Sequence, residues 1–256
     1  MKKTHLPPLG IAAALALFSS SAVSASTVFS ADFESATQAR ADVPIAMGAT
    51  LAAGYSVTNL VDGGTPGNYR LDAQGTDGTG SQLIYDQGNF ANFLPGAGDI
   101  ADLTAAITGN SYYEFTLSNA SAFSLQSIGL TVIQFGYVNG AIDRETGAYV
   151  FTNLTSDFTT PGTSFDASES LGQIVRGPSI AQGVESGTIT LAGNAALEDI
   201  TSVTFRVYLT EGYTGTSGNR RAGIDDLSVA VIPEPSAYAL LGGVLAFGFA
   251  ALRRRK

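Results

Sequence analysis

Carboxylates are the most abundant side chains in this 256-residue sequence that could perform acid–base chemistry. The chain has 22 Asp and Glu residues, one histidine, His5, and no cysteine. Thiol nucleophiles and zinc sites built from Cys and His are therefore excluded, and so are histidine-based triads once the N-terminal segment is removed. Two carboxylates alone can cleave a glycosidic bond when they lie about 5–10 Å apart. The composition thus leaves a glycan-active hydrolase as one option.

No spacing singles out a catalytic pair among the carboxylates, although several glutamates are available, among them Glu114, Glu145, Glu185, Glu198 and Glu211. Glu114 alternates with apolar residues, so we expect it on the solvent face of a strand. The glycine-rich segment GTDGTG at residues 75–80 matches neither a dinucleotide fingerprint nor an EF-hand loop, and we predict a turn there. We therefore predict that the protein is not an enzyme.

Asp225 is the carboxylate whose position is most suggestive of a structural role. It precedes Leu227 and Val229 in a predicted strand, and alternation would place all three on one inward face. A buried carboxylate needs a partner. Calcium is one candidate, because it takes carboxylate and carbonyl oxygens. An arginine or a backbone N–H group is another.

Alternation of apolar and polar residues dominates residues 26–232 and predicts β-strands. The clearest cases are residues 112–117 and 202–209. Further strands are predicted at 27–33, 125–135, 148–153, 188–191 and 224–231, with turns rich in Gly, Asn, Asp and Pro between them. Helical spacing is confined to residues 99–107 and a turn near 194–200. The pattern favours an all-β fold, a single antiparallel β-sandwich of jelly-roll-like type.

The first 25 residues have the plan of a cleaved signal peptide. Lys2 and Lys3 precede an apolar stretch at residues 9–18, and small residues lead up to Ala25. Ten apolar residues are too few to cross a hydrocarbon core of roughly 30 Å. We predict export, with signal peptidase cutting after Ala25.

The other end has the plan of a membrane anchor. Residues 237–252 are uncharged and would span about 24 Å as a helix. A basic tail follows, made of Arg253, Arg254, Arg255 and Lys256. The positive-inside rule keeps this tail in the cytoplasm and the preceding domain outside.

Pro233, Glu234 and Pro235, followed by this apolar segment and basic tail, resemble the PEP-CTERM sorting signal of exported bacterial proteins. The resemblance covers residues 233–256. It implies that the three residues of the motif are recognised by a membrane exosortase. It further implies an inner-membrane-anchored intermediate, then a destination at the cell surface or in the extracellular matrix. An ordinary tail anchor is the alternative.

A second resemblance concerns the ends of the body. FSADFE at residues 29–34 and GIDDLSV at residues 223–229 are similar to the terminal strands of jelly-roll modules, including carbohydrate-binding modules. In such modules, acids from the first and last strands often hold a structural calcium ion. The resemblance implies Asp225 and Glu34 as metal ligands, with Asp226 as a weaker candidate.

The body is strongly acidic. Residues 26–252 contain seven arginines and all 22 acids, a net charge of −15, which argues against a nucleic acid partner. We predict an exported surface or matrix protein with a structural or adhesive role in the exopolysaccharide layer. The alternative is a carbohydrate-binding module, for which Tyr69, Tyr137, Tyr208 and Tyr213 are candidate exposed aromatics, although tryptophan is absent.

Overall fold

The computed structural model describes residues 24–31, 49–64, 69–72, 82–86, 103–108, 111–134, 145–159, 167–178, 183–210 and 221–233. The strands are β1 (Ser26–Ala31), β2 (Thr50–Leu51), β3 (Tyr55–Gly64), β4 (Tyr69–Asp72), β5 (Gln82–Asp86), β6 (Ser111–Gln134), β7 (Thr146–Thr152), β8 (Gly172–Arg176), β9 (Gly183–Thr190), β10 (Ile200–Thr210) and β11 (Arg221–Pro233). A short helix, α1 (Leu103–Thr108), and two 3₁₀ turns, Ala167–Glu169 and Ala195–Leu197, complete the described elements.

The strands form two antiparallel layers that share one long strand. The first part of β6 lies between β3 and β10, and β7 and β8 continue this layer, which we call sheet I. The second part of β6 lies between β11 and β9, and β1 and β2 extend this second layer, sheet II, beyond β11. Strands β5 and β4 pair onto the beginning of β11. The predicted all-β, jelly-roll-like antiparallel sandwich is confirmed.

The core lies between the sheets and follows the predicted alternation. In β10 and β6 the inward residues Val203, Phe205, Val207, Tyr113, Phe115 and Leu117 are fully buried. The rings of Phe115 and Phe205 stack with centroids 4.9 Å apart, and Phe29 of sheet II lies 5.4 Å from Phe115. These ring contacts join the layers, since aromatic pairs add to the stability that buried area already supplies.

Glycines let the two sheets approach closely at one edge, where β8 packs against β9. A Cβ atom added at Gly172 would lie 2.6 Å from Cγ2 of Ile189. One added at Gly187 would lie 3.1 Å from Cγ1 of Ile174. Each isoleucine therefore occupies the space that a side chain on the facing strand would need.

Helical structure is present at both places that the sequence pattern indicated. The helix Leu103–Thr108 covers the second half of the predicted segment 99–107, whose first residues, 99–102, lie outside the described residues. The turn predicted near residue 194 is confirmed, because Asn194 Oδ1 accepts a hydrogen bond from the Ala196 N–H. In the described part of the chain, no helix has the length and apolar character needed to span a membrane. The predicted segment 237–252 lies outside that part.

Candidate functional site

A β-bulge in β11 changes the placement expected for Asp225. Asp225 pairs with Thr131 and Ser228 pairs with Gly129, so two residues of β11 oppose the single residue between them on β6. The extra residue reverses the alternation. Leu227 is fully buried, whereas Asp225 is half-buried on the opposite face. The prediction that Asp225 faces inward was therefore wrong, because it assumed regular alternation from Leu227 back to Asp225 and the bulge interrupts that alternation.

The bulge residue Asp226 is exposed and has a positive φ of 49°. Its N–H donates to Asp225 Oδ1 at 2.8 Å, and Thr131 Oγ1 donates to Asp226 Oδ2 at 3.3 Å. Thr131 is also 2.8 Å from Ser186 Oγ, which extends the polar chain onto β9. The atoms here that could coordinate a metal ion are carboxylate and hydroxyl oxygens, and calcium prefers oxygen ligands.

Within the described ranges, no three His, Cys, Asp or Glu residues come together in a way that could hold a metal ion. Glu34, the other predicted ligand, lies outside the described residues. Calcium binding by Asp225 and Glu34 therefore stays a prediction.

The outer face of sheet II is lined with small residues in register, most of them polar. A central row crosses five strands and consists of Thr50, Ser30, Ser228, Gly129 and Thr188. One flanking row consists of Thr27, Ala230, Ser127 and Thr190, and the other of Asp225, Thr131 and Ser186. We call these three rows the hydroxyl face. Five strands spaced about 4.8 Å apart give it a width of about 19 Å.

The hydroxyl face is even because no long side chain interrupts its rows. Gly129 has a local reason to be glycine, since a Cβ atom there would lie 2.8 Å from Ser228 Oγ. Thr188 and Thr190 are exposed, and Ser30 and Ser127 are half-buried. Within the described part of the chain, these four hydroxyls make no side-chain hydrogen bond, and those of Thr188 and Thr190 face solvent.

Hydroxyls on the outer face of sheet I lie in pairs. Ser56 and Ser118 lie 2.8 Å apart across β3 and β6, and Thr116 and Thr204 lie 2.8 Å apart across β6 and β10. In each pair one hydroxyl donates to the other, as in the Thr131–Ser186 pair of the hydroxyl face, so these four groups are partly engaged within the sheet.

The same outer face of sheet I carries a buried ion pair. Arg206 and Glu114 are directly opposite on β10 and β6, and Arg206 Nε donates to Glu114 Oε2 at 2.7 Å. The two side chains are only 7% and 19% exposed. Glu114 was expected to face solvent, and this expectation was wrong. Its strand face points outward, but other elements cover that face and keep water away from it.

Aromatic rings surround the guanidinium. Cζ of Arg206 lies 4.0 Å from the centroid of Tyr112 and 4.1 Å from that of Phe158, so the guanidinium makes a cation–π contact with each ring. Tyr208 packs on Tyr112 at 5.4 Å and on Phe151 at 5.6 Å. Helix α1 packs against the same two strands, β6 and β10.

Burial dominates the electrostatics of this cluster. It raises the pKa of the Tyr208 hydroxyl, and Arg206 opposes that shift through its charge and a side-chain hydrogen bond to Tyr208. Tyr208 is fully buried, so the expectation that it could be an exposed sugar platform was wrong. Tyr137 and Tyr213 lie outside the described residues, and Tyr69 begins β4.

One donor of the cluster lacks an acceptor. Arg206 Nη1 is buried and has no hydrogen-bond partner among the described residues. Sequence reasoning missed this feature, because it depends on pairing β6 with β10, which lie about ninety residues apart. The signal that could have found it is the presence of opposite charges and two tyrosines at the outward positions of both strands.

The remaining predicted site residues lie apart from both faces or beyond the described chain. Three of the glutamates are exposed: Glu145 just before β7, Glu185 within β9, and Glu198 just after the second 3₁₀ turn. Glu211 lies outside the described residues. Of the sorting motif, Pro233 is the last residue of β11 and pairs with Phe123, whereas Glu234, Pro235 and the basic tail lie outside.

No family model and no curated protein matches the sequence. Solved structures of similar fold include the K1 cleaved adhesin domain of Lys-gingipain from Porphyromonas gingivalis W83, with a TM-score of 0.35, 12% identity and coverage of 80% of this chain and 97% of that chain. The mannan-recognising carbohydrate-binding module TmCBM27 has a TM-score of 0.33 and 10% identity, covering 81% and 98%. The non-crystalline cellulose-specific module CBM28 has a TM-score of 0.37 and 8% identity, covering 69% and 86%. Resemblance at this distance carries no argument about ligands.

Proposed function

We propose that this protein is an exported, non-enzymatic surface or matrix protein whose β-sandwich binds polysaccharide on the hydroxyl face. The observation that carries the proposal is the set of three in-register rows of small, mostly polar residues across sheet II. Exposed hydroxyls such as those of Thr188 and Thr190 can donate and accept hydrogen bonds, which matches the hydroxyl groups of a glycan. A flat face suits an extended polymer better than a compact ligand.

The negative charge of residues 26–252 indicates which class of polysaccharide the protein can bind. A net charge of −15 over residues 26–252 repels anionic polysaccharide at long range. Asp226 adds a local negative charge at one end of the hydroxyl face. The proposed ligand is therefore a neutral polysaccharide.

Export and sorting form the second part of the proposal. The signal peptide at residues 1–25 directs the chain across the inner membrane, where residues 237–252 hold an anchored intermediate. Exosortase then recognises Pro233, Glu234 and Pro235 and passes the domain to the cell surface or the exopolysaccharide layer. This part rests on the sequence of the two ends. Replacing Glu234 with Ala should leave export intact and block C-terminal processing, which immunoblotting of cell fractions measures; unchanged processing would contradict the sorting role.

Binding is tested by affinity electrophoresis of the purified full chain through gels that contain neutral or anionic polysaccharides, with and without calcium. We expect retardation by at least one neutral polymer. The double variant Thr188→Lys/Thr190→Lys places two long side chains on the hydroxyl face and should remove the retardation. The matched control Ser56→Lys/Thr58→Lys makes the same change at exposed positions on sheet I and should migrate like the wild type.

Two results would contradict the proposal. If no polymer retards the wild-type chain, the sandwich has a structural role without glycan specificity. If both double variants lose retardation equally, binding does not use the hydroxyl face. Calcium is judged separately, because the predicted ion at Asp225 and Glu34 should raise the melting temperature whether or not a glycan binds.

A further inference from the structure

Arg206 is a buried cation whose hydrogen bonds are incomplete. Its side chain is 7% exposed, and only Nε reaches the carboxylate of Glu114. Nη1 is sealed from solvent and has no acceptor among the described residues. A buried donor left without an acceptor is costly, and donors that carry charge are the most costly. Such a group calls for an explanation beyond packing.

The surroundings of Arg206 have the composition of a small-ligand site. Such sites combine apolar and aromatic walls with a few placed polar groups. Here the walls are the rings of Tyr112 and Phe158, and the polar groups are the guanidinium and the Glu114 carboxylate. Tyr112 belongs to β6 and is fixed by the sheet. Phe158 belongs to the turn after β7 and is half-buried, so it is the wall that a ligand can displace.

The pair has no net charge, and this selects the ligand. A ligand bound beside the pair lies close to both of its charges. An anionic ligand would be repelled by the Glu114 carboxylate and a cationic ligand by the guanidinium, and this repulsion is strong in a site of low dielectric. A neutral ligand with adjacent donor and acceptor groups meets neither. Two neighbouring sugar hydroxyls fit, because one oxygen can accept from Nη1 while the next hydroxyl donates to the carboxylate.

We propose that Arg206 and Glu114 form a second binding site, specific for a neutral sugar residue with vicinal hydroxyls, and that the ring of Phe158 covers this site when it is empty. The site lies on sheet I, on the opposite side of the sandwich from the hydroxyl face. It takes a single sugar unit, whereas the hydroxyl face takes an extended polymer. Either proposal can fail while the other stands.

The test is saturation-transfer difference NMR on the purified full chain with the methyl glycosides of glucose, galactose, mannose, xylose and N-acetylglucosamine, and with 2-deoxy and 3-deoxy analogues of the best binder. Arg206→Lys keeps the charge but loses the planar fork of donors. Arg176→Lys is the matched control, because Arg176 also donates from Nε to a side chain, that of Gln134, yet lies at the β8 edge. Phe158→Ala removes the cover. Circular dichroism verifies that each variant is folded.

We expect saturable binding of at least one glycoside, at least tenfold weaker binding in Arg206→Lys, and no change in Arg176→Lys. Phe158→Ala should lower the Kd by about 2- to 30-fold, which is the cost of breaking one cation–π contact converted to affinity. A deoxy analogue that lacks one of the paired hydroxyls should bind at least tenfold more weakly. The proposal is overturned if no glycoside binds to the wild type or to Phe158→Ala. It is also overturned if folded Arg206→Lys binds normally, if Phe158→Ala binds more weakly than the wild type, or if both deoxy analogues bind as well as the parent glycoside.

Discussion

Replacing Gly172 with Ala should destabilise the sandwich more than the same change at Gly187 on the facing strand. The added Cβ would lie 2.6 Å from Cγ2 of Ile189, whereas carbon atoms in contact normally lie about 3.5–4.0 Å apart. The overlap is therefore close to 1 Å. Gly172 also has a φ of +155°, which side-chain-bearing residues rarely adopt.

The expected cost follows from these two effects. Overpacking a buried contact costs about 1–3 kcal/mol, and backbone strain adds about 1 kcal/mol. We therefore expect Gly172→Ala to lower the free energy of unfolding by about 2–4 kcal/mol. Gly187→Ala should cost only about 1 kcal/mol, because its Cβ would lie 3.1 Å from Cγ1 of Ile174 and a few tenths of an ångström of movement relieves the contact.

The assay is urea unfolding of the purified full chain, followed by circular dichroism in the far ultraviolet. Gly177→Ala is the matched control, because nothing lies within 4 Å of a Cβ atom built there. It should be neutral or stabilising by up to about 1 kcal/mol. Combining Gly172→Ala with Ile189→Ala should cost less than the sum of the two changes, because the new methyl group enters the space that the isoleucine vacates. Equal stability of Gly172→Ala and Gly177→Ala would refute the close approach of the sheets at this edge.

Three further outcomes follow from the described contacts. Burial raises the pKa of Tyr113, so in the folded protein this side chain keeps a proton that it releases above pH 10 in the unfolded protein. The free energy of unfolding should therefore fall by about 1.4 kcal/mol per pH unit above pH 10. Tyr113→Phe should remove part of this slope in urea titrations. Glu114→Leu strands the charge of Arg206 and should cost about 3 kcal/mol in the same assay, against less than about 0.5 kcal/mol for Glu185→Leu at an exposed site, and equal costs would contradict a buried pair. Asp226 has a φ of 49°, so the melting temperature of Asp226→Gly should exceed that of Asp226→Ala, by an amount that corresponds to about 1 kcal/mol, and the reverse order would contradict the bulge.

The sheets and their shared core could be predicted from local sequence because alternation reports directly which strand residues face inward. The inward positions of residues 112–117 and 202–209 are buried as expected. The bulge at Asp226 could not be predicted in the same way. Nothing in the sequence GIDDLSV marks an extra residue, since the bulge exists only relative to the register of β6. One inserted residue was enough to move Asp225 to the other face of the sheet.

The two outer faces show a second limit of local patterning. Both consist of polar positions that alternate with core residues, so the pattern predicts solvent exposure for each. On sheet II that prediction agrees with exposed Thr188 and Thr190, whereas on sheet I Arg206 and Tyr208 are buried. The difference arises from what packs on the face, namely the turn that carries Phe158 and the helix packed against β6 and β10.

Residue size distinguishes the two faces where alternation does not. The outward positions of the hydroxyl face hold residues no larger than Thr or Asp, which have little apolar surface to bury. The outward positions of β6 and β10 hold Tyr112, Glu114, Arg206 and Tyr208, whose rings and long stems bury substantial area once covered. Large amphipathic residues at outward positions of two paired strands therefore indicate a covered face, and small hydroxyl residues indicate an open one. By this criterion a polymer has direct access to the hydroxyl face of sheet II, whereas access to Arg206 on sheet I requires Phe158 to move.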